Sequence, residues 1–258
     1  MSERRDEKEL GGEIVANNKF LSWLDNFWYH YKWHVIVIAF FVFVFAVCFA
    51  QCAQKEEVDV PVVFAGAYVE GGEDDYAWNE DRRNAIEEIL EGLYKKSTAQ
   101  ERAIGFLTYD VLTEEELRAK ATEPPKGEDE TGEFSNTYYN SLKQNNLSEI
   151  NRFSSYMQTG QCSVWFVSEF LYEEQGMEKL AMPLESIFEG TLPESAYDAY
   201  AIRLGDTDLY RYYDAFHAMP EDTLIVLTRG LLLGASSDDA VYHDYLALYR
   251  AIVTFEKP

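Results

Sequence analysis

Val35 to Ala50 reads VIVIAFFVFVFAVCFA, sixteen residues without a charge, and no other stretch of the chain restricts its folding choices as much. At a helical rise of ~1.5 Å this run reaches roughly 24 Å, short of the ~30 Å hydrocarbon core of a bilayer. Trp33 and His34 before it and Gln51 to Ala53 after it close the gap. A transmembrane helix over residues 33–53 is therefore expected. Trp28, Tyr29, Tyr31 and Trp33 supply amphipathic rings for the headgroup level, and Lys32 can extend its ammonium toward phosphates. Upstream, Phe20, Trp23, Leu24, Phe27, Trp28 and Tyr31 recur at helical spacing, which predicts an aromatic amphipathic helix at the interface over 17–32. Residues 1–16 alternate in charge around paired glycines and read as a disordered cytoplasmic tail.

The span is read as an uncleaved anchor. A secretory signal begins with a short basic region, whereas more than thirty residues of near-neutral charge come first here. A lipoprotein signal needs small residues before its cysteine, but Cys52 follows Phe49, Ala50 and Gln51, and Cys48 follows Ala46 and Val47. Lys19 and Lys32 flank the amino side against Lys55 on the carboxyl side, which favours a cytoplasmic amino end and an extracytoplasmic domain over 54–258. The lipid bilayer is thus the first expected partner.

The 46 acidic and 22 basic side chains give a formal charge of -24, nearly all of it beyond residue 53. A polyanion repels phosphate backbones, so no nucleic-acid partner is expected. Cys162 stands alone within the domain in the apolar run CSVWFV and reads as a small buried residue. No CxxC occurs, and the pair His30 and His34, at the i, i+4 spacing of a metal clamp, sits among membrane-interface aromatics.

Beyond the anchor the pattern alternates between strand and helix. VDVPVVFAGAY (58–68) and RAIGFLTYDVL (102–112) read as buried strands, separated by a helix that Asn79 caps and that carries Ile86, Ile89, Leu90, Leu93 and Tyr94 on one side. Thr113 with Glu116 forms a capping box for a short helix, and residues 121–133 form an acidic loop. Asn146 with Glu149 predicts the start of a helix running to about Gln158, stopped by Thr159-Gly160. CSVWFV is a strand, SEFLYEE starts a helix, and Tyr200 to Leu204 and DTLIVLTRG (222–230) are later strands. Asp206 is expected to cap a helix bearing Leu209, Tyr212, Tyr213 and Phe216, and Ser236 with Asp239 to open a closing helix through Ile252. This is the grammar of an α/β fold with a mixed sheet and flanking helices.

The order of these pieces resembles a known family. The helix ending in YMQTGQ, the strand CSVWFV, SEFLYEE and AMPLESIF, with TLIVLTRG and a final helix YHDYLALYRAIV, are similar to bacterial extracellular solute-binding proteins of ABC transporters. The aromatic run DNFWYHYKWH before a single span resembles the amino end of uncharacterised single-pass proteins of Gram-positive bacteria that carry such ectodomains. The resemblance implies a periplasmic-binding-protein-like fold, small-solute binding linked to transport, and an ABC permease or another membrane protein as partner. The chain is shorter than two-lobed members of the family, so a ligand-free interaction or scaffold protein of the envelope is the alternative.

No GxSxG, P-loop, GxGxxG or HExxH occurs, so the chain is read as no enzyme and as needing no cofactor. His217 and His243 fall on predicted helices among tyrosines, and the carboxylates of GDTD (205–208) lack the spacing of a helix-loop-helix calcium site. Ligands of open α/β sheets sit beyond the carboxyl ends of strands. The expected strand ends place Tyr68, Tyr109, Asp110, Ser168, Glu169 and Arg229 there as ligand-binding residues. Arg229 ends an apolar strand and offers a donor fork for a carboxylate.

Overall fold

In the computed structural model, which describes residues 18–53, 58–69, 79–122, 135–229 and 240–257, the chain divides into two units, Met1–Glu56 and Glu57–Pro258. The expectations for the tail, for residues 123–133 of the acidic loop, and for Ser236 and Asp239 lie outside the described residues, while Ala121 and Thr122, expected in that loop, end the helix Glu114–Thr122.

The first unit is one helix, α1 (Asn18–Ala53), of 36 residues. From Asn18 on, the interfacial segment and the span expected from the sequence are continuous within it. No glycine or proline lies between Asn18 and Ala53 to break the backbone ladder. Within α1, Phe27–Phe49 is long and apolar enough to cross a membrane. Its 23 residues span about 34 Å at the helical rise. These properties suit a single-pass membrane protein, and they suit a signal sequence equally. Phe27 stacks on Tyr31 at 5.2 Å between ring centroids, and Tyr31 meets His34 edge-on at 6.1 Å, so the aromatic stripe is held one helical turn at a time.

The second unit is a five-stranded mixed sheet between helices. Its strands are β1 (Val60–Gly66), β2 (Ile104–Asp110), β3 (Val164–Val167), β4 (Ala201–Arg203) and β5 (Leu224–Leu227), in the order β2-β1-β3-β5-β4. The first three are mutually parallel. β5 runs antiparallel to β3 and to β4.

Alternation along β1 builds both sides of the core. Val60, Val62 and Phe64 face α2 (Glu80–Thr98) and α8 (Ala240–Val253), with Ile86, Leu90, Tyr94, Tyr245, Leu248 and Ile252 closing over them. Val63 and Ala65 point to the other side, where Trp165 of β3 meets Phe153 of α4 (Asn136–Thr159) at 5.7 Å with rings perpendicular. Leu171 and Tyr172 of α5 (Glu169–Glu174) complete that layer. Strands buried on both faces read as near-continuous apolar runs, as FAG and VWFV do here.

The local signals that set helix starts are visible as bonds. Asn79 Oδ1 accepts from Arg82 N at 2.8 Å ahead of α2, and Thr113 and Glu116 exchange backbone and side-chain bonds ahead of α3 (Glu114–Thr122). Gly160 takes a left-handed φ of 65° and ends α4 at the expected turn.

Two expectations are corrected. α4 begins at Asn136, capped by Ser135, ten residues before the predicted start at Asn146. Asn146 is buried in mid-helix, where its carboxamide bonds the backbone of Leu112 instead of capping. The helix predicted from Asp206 to Phe216 is α7 (Asp208–Tyr212), capped by Thr207, followed by a separate 3-10 turn over Asp214–Ala218. Tyr213 adopts an extended conformation between them, and its ring packs on Phe255 at 5.4 Å. The short helix α6 (Leu184–Ile187) buries Leu184 and Ile187 under the α8 side.

Candidate functional site

The carboxyl ends of β2, β1 and β3 lie side by side because the three strands are parallel neighbours. The chain leaves β1 for α2 on one face of the sheet and leaves β3 for α5 on the other. Between β1 and β3 the connections therefore depart to opposite faces, the place at which open α/β sheets hold ligands. A Cβ on Gly66 would lie 3.3 Å from Ser168 Cβ and 3.4 Å from the Phe64 ring. Glycine is what allows the two strand ends to approach this closely.

Tyr68 stands just beyond β1, half-buried, with its ring 5.3 Å from Phe64. Burial pushes its phenol up to about 12, against the pull of a hydrogen bond with Thr108, and the charges of Asp110 and Glu149 push the same way as burial. Asp110, the last residue of β2, is thus an electrostatic neighbour of Tyr68 across the strand ends. Tyr109 points into the core instead. It is buried against Phe153 and Tyr156, and the Arg152 guanidinium lies over its ring at 5.6 Å. Beside it, an open groove of about 490 Å³ runs along α4, lined by Tyr109, Asn151, Arg152, Ser155 and Tyr156 among others.

Ser168 and Glu169 follow β3 and serve their own fold. The Ser168 hydroxyl caps α5 by accepting from Leu171 N at 3.3 Å, and its backbone N–H donates to Ala65 O at 2.9 Å. Glu169 accepts from the Tyr197 hydroxyl at 2.6 Å. That bond first, then burial, pushes the Tyr197 phenol up to about 12. Arg203 lies over the Tyr197 ring at 5.2 Å, and Tyr172 donates to Asp198 at 2.8 Å alongside. The strand ends are therefore flanked by carboxylates that meet phenols.

Arg229 is not with the other five. β5 runs antiparallel to β3, so its carboxyl end lies beside Val164, the first residue of β3. Thr228 N donates to Ser163 O at 2.8 Å and Arg229 N to Leu180 O at 2.9 Å, which fixes the exposed Arg229 at the opposite end of the sheet.

The sequence reading takes Asn146 with Glu149 for a helix start and overlooks Thr108 and Tyr197. Asn146 Oδ1 accepts from Leu112 N and its Nδ2 donates to Leu112 O, each at 2.8 Å. A buried side chain thus stands in for a strand partner just past β2, and holds the strand end against α4. Its neighbours Asn145 and Ser148 are polar too, so no periodicity singled it out.

The remaining chemistry-bearing groups serve the fold. His217 Nε2 lies 2.9 Å from Tyr210 O and its ring packs on Tyr210. Burial drives the Cys162 thiol far above its usual range, so it stays protonated among backbone carbonyls. Among the described residues no group of three or more His, Cys, Asp or Glu side chains could hold a metal ion. No family model matches this chain, and no curated protein or solved structure is significantly similar to it.

Proposed function

We propose that the chain is a membrane-anchored binding module whose α/β domain works outside the cytoplasm and takes a small polar solute beyond the carboxyl ends of β1 and β3. The observation that carries this reading is the departure of the β1 and β3 connections to opposite faces of the sheet, with Tyr68 and Asp110 near the ends of β1 and β2. Asp110 and Glu169 put carboxylates at this edge, which suits a solute with an ammonium or several hydroxyls. A link to transport, with a permease as partner, follows from the resemblance to solute-binding proteins, and the outward orientation from Lys19 and Lys32.

The test is thermal unfolding of the full chain in detergent micelles against amino acids, sugars and short peptides. A ligand at a hundred times its dissociation constant adds about 2.7 kcal/mol, or roughly 5–10 °C for a domain of this size. A flat screen across all three classes counts against the proposal.

A second reading, a ligand-free interaction protein of the envelope, is favoured by one observation: Ser168 and Glu169 already hold partners within the fold. It predicts a flat screen together with reproducible co-purification of one membrane protein. Loss of that partner when α1 is exchanged for an unrelated span would locate the contact on the helix.

A further inference from the structure

β2 is an outer strand of the sheet, and an outer strand offers backbone groups with which another chain can pair. Two of its amides are already taken. Phe106 N donates to Glu87 Oε1 at 2.8 Å and Ile104 N to Glu91 Oε1 at 3.2 Å. Both carboxylates come from α2, whose buried side of Ile86, Leu90 and Leu93 packs on the sheet and leaves Glu87 and Glu91 at its rim. The spacing explains how one helix serves two amides of a strand. Four helical residues rise about 6.0 Å, and two strand residues advance about 6.6 Å. Glutamates at i and i+4 therefore present acceptors at nearly the interval at which a neighbouring strand presents carbonyls. Their order is reversed along β2, as it must be for a helix that returns antiparallel to the strand it precedes.

We propose that Glu87 and Glu91 act as a surrogate strand that keeps β2 from pairing with the β2 of a second copy of this chain. Two identical edges meet about a two-fold axis as antiparallel strands, so each copy would donate and accept at the same residues. Leu107, 39% exposed in the middle of β2, adds apolar surface to such a contact. Copies anchored through α1 in one membrane would meet at high effective concentration, which makes a closed edge worth keeping.

The test uses the full chain in detergent micelles, followed by hydrogen exchange and sedimentation. In the Glu87→Ala/Glu91→Ala variant the amides of Ile104 and Phe106 should exchange roughly tenfold faster or more at low concentration. At high concentration that variant should dimerise and regain protection at the same two amides. Glu87→Gln/Glu91→Gln keeps carbonyl acceptors without the charge and should match the wild type. An alanine variant that stays monomeric or exchanges at the wild-type rate overturns the proposal. A glutamine variant that associates as the alanine variant does overturns it too, since charge repulsion would then be what holds copies apart. Should the double alanine variant fail to fold, Glu87→Ala alone is read at Phe106, where an unchanged rate is the overturning result.

Discussion

The two ends of the sheet use charge in opposite ways. At the amino end of β1 and β2, Arg102 lies 3.2 Å from Asp244 and 3.8 Å from Asp59, Tyr94 donates to Asp244 at 2.5 Å, and Asp59 also accepts from Ala103 N. The cluster ties α2, α8 and the start of the sheet together, and its one cation sits between two carboxylates. At the carboxyl end, Asp110 and Glu149 both bear on the phenol of Tyr68, and Glu169 is met by the neutral hydroxyl of Tyr197. The first end is closed by ion pairing between elements, whereas at the second Glu149 pairs with Arg152 one turn along its own helix and Glu169 meets a neutral phenol. The difference separates a lock between distant elements from contacts that are local or neutral.

Mutation of the lock should give the largest effect. Asp244→Ala removes the acceptor of the buried Tyr94 hydroxyl and the nearer of the two carboxylates beside Arg102, at an expected loss of about 2–3 kcal/mol. Denaturant unfolding of the full chain measures it, and a loss under about 0.5 kcal/mol would dissolve the contrast between the two ends. Asn146→Ala probes the one structural post beside the carboxyl edge. It leaves the N–H and C=O of Leu112 unpaired in a buried position, at an expected cost of about 2 kcal/mol.

Ser168→Ala should cost about 1 kcal/mol, the usual value of a lost helix cap. A much larger loss would make this strand end part of the structural core.

Alkaline pH acts on the same edge. Tyr68 and Tyr197 keep their protons up to about 12 in the folded domain, against ~10 in an unfolded chain. The unfolded chain therefore ionises first. The stability from these phenols is complete below pH ~10 and is lost as the pH rises from there to 12. Melting temperature against pH should fall more gently for Tyr68→Phe and Tyr197→Phe than for the wild type, and identical slopes would show that neither phenol is held in this way.

The smallest effect on stability is expected from Asp110→Asn, within about 1 kcal/mol, together with loss of any ligand-induced shift in melting temperature. A variant that keeps the full shift would remove Asp110 from the site.

Much of this architecture was legible in the sequence, for physical reasons that differ from element to element. β1, β2, β3 and β5 announce themselves as β-branched and aromatic runs, and α2 as an apolar stripe behind an asparagine cap. The start of α4 was hidden because Asn136 to Asn145 is rich in Asn, Ser and Tyr, residues that form a helix poorly alone and are held here by packing. The break between α7 and the turn after it was hidden because the spacing of Leu209, Tyr212, Tyr213 and Phe216 fits one helix as well as two short ones. Arg229 illustrates the deepest limit. A strand's residues declare that it is a strand but not which way it runs, and the direction of β5 alone moves Arg229 to the far end of the sheet.

The latch formed by Asn146 also bears on how this chain is made. Asn146-Leu147-Ser148 spells the acceptor triplet for N-linked glycans. Once the domain has folded, the acceptor amide is buried and both of its polar atoms are engaged with Leu112. In a compartment that glycosylates chains during translocation, sugar transfer and folding would compete for the same carboxamide, and a chain that received the sugar first could not close the end of β2 onto α4.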